Sequence, residues 1–257
     1  MDFQQFDQLV AICEPLSDKL IQIQQRGFNV ETKDDDSPVT DADLLAHKTL
    51  CEHLPQVTDI AIVSEEDIPD DKENLTSYWL IDPIDGTKEF VEGTDQFTIH
   101  IARITDNKPD LGFVYVPGQH IAYAATPGNG AYKWDGQEWN QIHANERTEQ
   151  LISVESRLHK SPQDEIVRAQ FDIADYIEMG SSLKILAIAE GSADLYVRTL
   201  PTKVWDTVPP QLILQEAGGE IFDMDNNPLR CSLLYMTNPH FIAVNKGLKK
   251  DLSTQSS

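Results

Sequence analysis

The segment Trp79-Leu80-Ile81-Asp82-Pro83-Ile84-Asp85-Gly86-Thr87-Lys88-Glu89-Phe90 constrains this chain more than any other, because an apolar run meets two carboxylates, a proline and a glycine in immediate succession. Tyr78 to Ile81 reads as a short buried strand, and Pro83 between the acids calls for a sharp turn that can aim Asp82 and Asp85 at one point. Gly86 can take φ > 0, and the Gly86 and Thr87 amides can open a helix whose N-terminus receives a phosphate. A second buried strand, Ile60 to Val63, also runs directly into acid, at Ser64-Glu65-Glu66-Asp67. Carboxylates therefore collect at strand ends. They are the donors a hard divalent cation such as Mg²⁺ prefers, and Glu65 can complete such a site. Standing alone, the same acids fit Asx turns and a solvated run equally well.

Upstream, from Phe3 on, Phe6, Leu9, Val10, Cys13, Leu16, Leu20 and Ile23 recur every three or four positions, one face of a helix that ends near Gly27 and that Pro15 should bend or split. An acidic loop follows at Glu31, Asp34, Asp35 and Asp36, after which Thr40 caps a second helix with Asp43 in its first turn. The β-rich segments Phe97 to Ile104, Leu111 to Val116 and Ile121 to Ala125 are separated by turn residues, which predicts an antiparallel meander. The polar stretch Asn140 to Gln150 is the expected boundary between an N-terminal α+β half, 1–145, that binds metal and phosphate, and a C-terminal α/β half, 146–257, that recognises substrate. In the second half strand and helix signals alternate.

With 257 residues, 40% of them hydrophobic, the chain is long enough to bury a core in one or two domains. Its apolar stretches fall far short of the ~20 residues that span a bilayer. Met1 to Asp7 has neither the basic flank nor the apolar run of a secretory signal, so the cytoplasm is the default compartment, with peripheral membrane association left open. Lys+Arg number 20 against 43 Asp+Glu, and the resulting charge of −23 repels nucleic acid. A phosphorylated substrate must then be met by local cations or bound metal. Three cysteines, Cys13, Cys51 and Cys231, without metal-ligand spacing, read as reduced packing residues.

A second acidic signal lies in Val204-Trp205-Asp206-Thr207-Val208-Pro209-Pro210-Gln211, where Asp206 precedes a helix with prolines in its first turn. By itself that aspartate reads more readily as an N-cap than as a metal ligand. Taken together, however, the order Glu65, Asp82-Pro83-Ile84-Asp85-Gly86-Thr87, Trp205-Asp206 and Glu216-Ala217-Gly218-Gly219 resembles the inositol monophosphatase superfamily of metal-dependent, lithium-sensitive phosphatases. The resemblance spans nearly the whole chain. Ser37-Pro38-Val39-Thr40, Ser64-Glu65-Glu66-Asp67, Lys88-Glu89-Phe90, Gly180-Ser181-Ser182-Leu183-Lys184, Ala189-Glu190-Gly191 and Pro201-Thr202-Lys203-Val204 bring it closest to the CysQ-type 3′(2′),5′-bisphosphate nucleotidase branch.

That resemblance implies an α/β fold of the sugar-phosphatase kind, a layered αβαβα sandwich with the active site between its halves. It implies two or three Mg²⁺ ions held by Glu65, Asp82, Asp85, Asp206 and the carbonyl of Ile84, with Asp85 shared between metals. Asp43, Glu65 and Thr87 would orient and activate the attacking water, without a covalent phosphoenzyme. Asp85, Gly86, Thr87, Lys88 and Asp206 would lie along the cleaved phosphate, and Ser156, His159, Ser181, Lys184 and Arg198 along the rest of the nucleotide. Lys184 and Arg198 are the foremost candidates for the phosphate that is not cleaved. The implied reaction removes the 3′-phosphate of adenosine 3′,5′-bisphosphate, giving AMP and phosphate, with the sulfated precursor as a further substrate, in sulfur metabolism. Two rivals stand beside it: an inositol or sugar monophosphatase on the same scaffold, and a non-catalytic acidic module that binds cations or a protein partner.

Several other signals are set aside. Asp223-Met224-Asp225-Asn226-Asn227 begins like a calcium loop, but Pro228 stands where Gly is needed and Leu234 where Glu is needed. Gly128-Asn129-Gly130 reads as a hairpin turn, since no Lys-Ser/Thr follows. His100, within Phe97-Thr98-Ile99-His100-Ile101, reads as structural. Pro209-Pro210 departs from the superfamily pattern and puts the start of the following helix in question.

Overall fold

A computed structural model describes residues 3–32 and 38–249. Asp34, Asp35, Asp36 and Ser37 lie outside the described residues, as does the serine-rich tail. In chain order the elements are α1 (Gln4–Arg26), β1 (Val30–Thr32), β2 (Pro38–Thr40), α2 (Asp41–Val57), β3 (Ala61–Ser64), β4 (Tyr78–Asp85), α3 (Thr87–Val91), β5 (Thr98–Thr105), β6 (Lys108–Val116) and β7 (Ile121–Ala125). There follow β8 (Ala131–Trp134), β9 (Trp139–Ile142), β10 (Leu151–Ser156), α4 (Pro162–Arg168), β11 (Ile173–Met179), α5 (Leu183–Ala189), β12 (Leu195–Arg198), α6 (Val204–Glu216), β13 (Glu220–Asp223) and β14 (Phe241–Val244).

Residues 61–142 build a seven-stranded sheet in the order β3-β4-β5-β6-β7-β8-β9, with only β3 and β4 parallel and the rest antiparallel; the expected meander is its central β5-β6-β7, which β4 extends on one side and β8 and β9 on the other. Because strand side chains alternate between faces, Trp79, Ile81, Leu111, Phe113 and Tyr115 point one way, onto Phe6, Leu9, Leu16, Leu50 and Leu54 of α1 and α2. Leu80, Ala102, Val114 and Val116 point the other way, onto α5 and α6. Val154, Tyr196 and Ala243, from a five-stranded sheet ordered β11-β10-β12-β14-β13, cover the far side of those two helices. Leu151, Leu195, Val197 and Val244 on its outer face pack with Val167 of α4. The layers run α, β, α, β, α, and each fully buried Leu or Phe in them contributes about 1.5–3 kcal/mol.

Three sequence expectations need correction, and a fourth, that Pro15 bends or splits the first helix, is narrowed. Pro15 lies inside α1 without splitting it. Glu31 sits on β1, paired with Val39, and is not in a loop. β1, β2, β8, β9, β11 and β13 lie outside the segments expected as strands; β11 is a sheet edge that leaves Ala174, Asp175, Tyr176 and Glu178 exposed. Finally, α6 begins at Val204, so Asp206 lies within its first turn instead of before it, and Pro209-Pro210 fall in the second turn. No helix of the described residues is long and apolar enough to cross a membrane. All three cysteines are free.

Candidate active site

The turn after β4 is a bulge in the β4–β5 ladder. Asp82 pairs with His100 and Asp85 with Thr98, so the register slips between the two acids, where Pro83 has no N–H to contribute. The Ile84 amide donates to Asp82 Oδ1 at 3.0 Å, which fixes that carboxylate in an Asx-type turn. Since β3 runs parallel to β4 and the Glu65 amide donates to the Ile81 carbonyl at 3.1 Å, Glu65 emerges beside Asp82 at the same sheet end. α6 enters from the other side. Its third residue, Asp206, accepts the Lys203 amide at 2.7 Å, and the helix approaches the sheet so closely that a Cβ on Gly112 would lie 2.7 Å from the Pro209 carbonyl.

These elements bring carboxylate oxygens of Glu65, Asp82 and Asp206 within 4.8 Å of one another. Asp82 is buried and its pKa stands well above the usual carboxylate range, through burial first and then repulsion from Glu65, Asp85, Asp206 and Asp43. Burial and Asp85 raise Asp206 likewise. Such a crowd of hard oxygen donors fits a divalent cation such as Mg²⁺, which would relieve the repulsion.

The phosphate turn follows. Gly86 has φ of 90°, a conformation glycine adopts freely, and caps the short α3. A Cβ there would lie 3.1 Å from the Ser181 side chain and 3.3 Å from the Gln96 carbonyl. Thr87 Oγ1 lies 3.2 Å from Asp43 Oδ1 and 3.1 Å from the Ile84 carbonyl. Asp43 is the N3 residue of the α2 capping box, its Oδ2 held by the Thr40 amide and hydroxyl at 2.7 and 2.6 Å. Asp43 thus stands behind Thr87, buried, and does not line the cleft.

The cleft, of about 230 Å³, is lined by every other expected site residue: Glu65, Asp82, Ile84, Asp85, Gly86, Thr87, Lys88, Ser156, His159, Ser181, Lys184, Arg198 and Asp206. Lys184 and Arg198 are buried, so neither is a solvated surface cation. Burial lowers the Lys184 ammonium to about 8, against the pull of Asp85 and Glu89, and its Nζ donates to the Ser181 carbonyl at 2.5 Å. The Arg198 Nε is buried without a hydrogen-bond partner. His159 is lowered to about 4 by burial and by Arg198, Lys88 and Lys184, so it is neutral at physiological pH.

Sequence reasoning missed a hydroxyl and imidazole shell behind Asp85. Asp85 Oδ2 accepts the Ser182 amide at 2.8 Å, the Thr98 hydroxyl at 3.3 Å and the Ser181 hydroxyl. His100, fully buried, is 2.9 Å from the Thr98 hydroxyl and 2.7 Å from that of Ser182. Its Nε2 is also 3.5 Å from Asp85, but burial lowers the imidazole pKa more than Asp85 raises it, so this is no ion pair. With both ring nitrogens engaged, His100 is not a free metal ligand despite its proximity to Asp82 and Asp85. The signal was present: the alternation of Phe97 to Ile101 turns Thr98 and His100 to the same face, opposite Phe97 and Ile99. Buried Glu89 also lines the cleft, and its sequence context, Lys88-Glu89-Phe90, does not reveal that burial. Of the signals set aside, Gly128 and Gly130 do form a hairpin turn, both amides donating to Glu216 at 2.8 and 2.9 Å. Asp223 caps its own turn by accepting the amides of Asp225 and Asn227.

Residues 5–256 match the sequence profile of the inositol monophosphatase family. The chain is 35% identical over 228 residues to the 3′(2′),5′-bisphosphate nucleotidase CysQ of Escherichia coli K12, covering 87% of this chain and 92% of the relative. It is 32% identical over 246 residues to the CysQ nucleotidase of Haemophilus influenzae, covering 93% and 91%. The crystal structure of CysQ from Bacteroides thetaiotaomicron aligns with a TM-score of 0.79 and 30% identity, over 94% of this chain and 98% of that one.

Proposed function

The chain belongs to the inositol monophosphatase family, and on that premise we propose that it is a Mg²⁺-dependent 3′(2′),5′-bisphosphate nucleotidase. It hydrolyses the 3′-phosphate of adenosine 3′,5′-bisphosphate to AMP and phosphate, and takes the sulfated precursor as a further substrate. One observation favours this over an inositol or sugar monophosphatase. Besides its carboxylates, the cleft holds a separate cation cluster, Lys88, Lys184 and Arg198 around a neutral His159. A monophosphate engages only the carboxylate side of the cleft, whereas a second phosphate matches these cations.

Glu65, Asp82, Asp85, Asp206 and the Ile84 carbonyl would hold two or three Mg²⁺. Bound there, the ions would supply neutralisation of charge on the ester oxygens and a lowered pKa for water. The chain's own groups do the rest. The Gly86 and Thr87 amides bind phosphate oxygens at the turn. Thr87, donating to Asp43, keeps a lone pair on Oγ1 to accept from the attacking water and orient it. Glu65, at the end of β3, receives the water's other proton. Ser156, His159 and Ser181 bind the nucleoside side, and Lys184 and Arg198 hold the phosphate that stays.

Phosphate release from adenosine 3′,5′-bisphosphate and from inositol 1-phosphate, each with and without Mg²⁺, tests the assignment. We expect Mg²⁺-dependent turnover that favours the nucleotide and is abolished in folded Asp85→Asn. A preference for inositol 1-phosphate would move the protein to the monophosphatases, and no release at all would leave a binding module.

A further inference from the structure

Pro209 lies inside α6 and has no N–H, so the Trp205 carbonyl cannot receive the i→i−4 bond that residue 209 would otherwise give it. His100, on a different element, fills the gap: its Nδ1 is 2.9 Å from the Trp205 oxygen. A carbonyl only accepts, so the ring proton is on Nδ1, and Nε2 of the neutral ring must accept in turn. The Ser182 hydroxyl, 2.7 Å away, is the nearer donor, with the Thr98 hydroxyl at 2.9 Å beside it. Ser182 is also the residue whose amide holds Asp85 Oδ2, alongside the hydroxyls of Thr98 and Ser181. All of these bonds fall on one oxygen; among the described residues none is recorded to Asp85 Oδ1.

The imidazole therefore touches three segments at once. They are α6 next to Asp206, through the Trp205 carbonyl; the turn into α5 that grips Asp85, through Ser182; and β5 itself, through the Thr98 hydroxyl, while the His100 backbone stands opposite Asp82 in the β4–β5 ladder. We infer that His100 is a positioning residue for the metal site: anchored by the carbonyl that Pro209 leaves free, it sets the rotation of Asp85 so that Oδ1 is the oxygen presented to the cation. The inference rests on reading the acidic cluster as a Mg²⁺ site. Groups that orient ligands from behind in this way typically change metal affinity by about 10–100-fold when removed.

The test is calorimetric titration of Mg²⁺ into EDTA-stripped wild type, His100→Leu, Ser182→Ala and the double variant, with far-UV circular dichroism and thermal melting alongside. Wild type should bind. His100→Leu should keep its helix content yet bind about 10–100-fold more weakly. Ser182→Ala should melt within about 2 °C of wild type and bind at least about threefold more weakly. The double variant should bind no worse than His100→Leu, because both substitutions break one chain of bonds. Affinity of His100→Leu within about twofold of wild type, or losses that simply add, would overturn the inference. If His100→Leu does not fold, Ser182→Ala decides alone, and unchanged affinity there counts against it. Failure of wild type itself to bind Mg²⁺ is a different result, and it overturns the metal reading.

Discussion

Asp43 serves a helix cap with one oxygen and the phosphate turn with the other. Oδ2 closes the α2 capping box with Thr40, while Oδ1 takes the Thr87 hydroxyl at 3.2 Å across 44 residues of sequence. The cap locks the carboxylate, so its second oxygen is held at a fixed place behind the turn. The single Thr87 proton has a rival acceptor in the Ile84 carbonyl at 3.1 Å, and either choice leaves Oγ1 able to accept from water. Thr87→Val keeps the β-branched shape and deletes the hydroxyl. We expect kcat to fall about 100-fold with KM within about threefold, the scale of a lost acid–base contact. Steady-state kinetics decide, and a kcat within threefold of wild type would take Thr87 out of water activation.

Lys184 carries a pH dependence whose sign follows from burial. Its ammonium is lowered from 10.5 to about 8, so it is a phosphate-binding cation below that pH and loses its charge above it. The KM for the bisphosphate should therefore climb as pH rises past about 8. Lys184→Met should raise KM about 10–100-fold at pH 7 and abolish that climb, while the KM for inositol 1-phosphate stays level. Stability moves in the opposite sense. With the folded pKa below the unfolded one, the buried charge destabilises the apo protein below pH 8, and the penalty fades between about 8 and 10.5. Apo Lys184→Met should melt above wild type at pH 7, with the gap narrowing by pH 9.

The parts of this arrangement that were legible in the sequence are those encoded locally. The β4 acids, Pro83 and Gly86 specify their own turn, and Thr40 with Asp43 specifies a cap. The αβαβα layering followed from resemblance, since alternating strand and helix signals do not say which faces meet. What stayed hidden depends on contacts between distant segments. Nothing near His100 announces that Trp205 will offer it a carbonyl 105 residues away, and nothing near Asp206 reveals that α6 starts at Val204. The burial of Lys184 and Arg198 was equally invisible, because a lone cation in a sequence looks the same on a surface as in a cleft.

The repulsion among Asp82, Asp206 and Glu65 predicts opposite effects of one substitution in two states. Asp206→Asn removes a carboxylate whose neighbours resist its ionisation and keeps an oxygen for the Lys203 amide. The EDTA-treated variant should melt higher than EDTA-treated wild type. Mg²⁺ at about 100 times its Kd stabilises wild type by about 2.7 kcal/mol, a rise of roughly 5–10 °C for a chain of this size. The variant should lose most of that rise. Differential scanning calorimetry of the four samples checks both signs, and an unaltered Mg²⁺ shift in Asp206→Asn would remove this carboxylate from the cation site.

The pairing of Pro209 with His100 makes a prediction about stability that does not involve the metal. In wild type the Trp205 carbonyl depends on the imidazole, because residue 209 has no amide hydrogen to offer. His100→Leu orphans that buried oxygen, whereas in a Pro209→Ala background the restored N–H can take it within the helix. Loss of the Ser182 contact is common to both backgrounds and cancels. Urea denaturation of the wild type, two single variants and double variant in EDTA should therefore show His100→Leu costing about 1 kcal/mol less when Pro209 is alanine. Costs that agree within about 0.3 kcal/mol between backgrounds would mean that the imidazole and the proline are independent, and that the Trp205 carbonyl is satisfied by some other route.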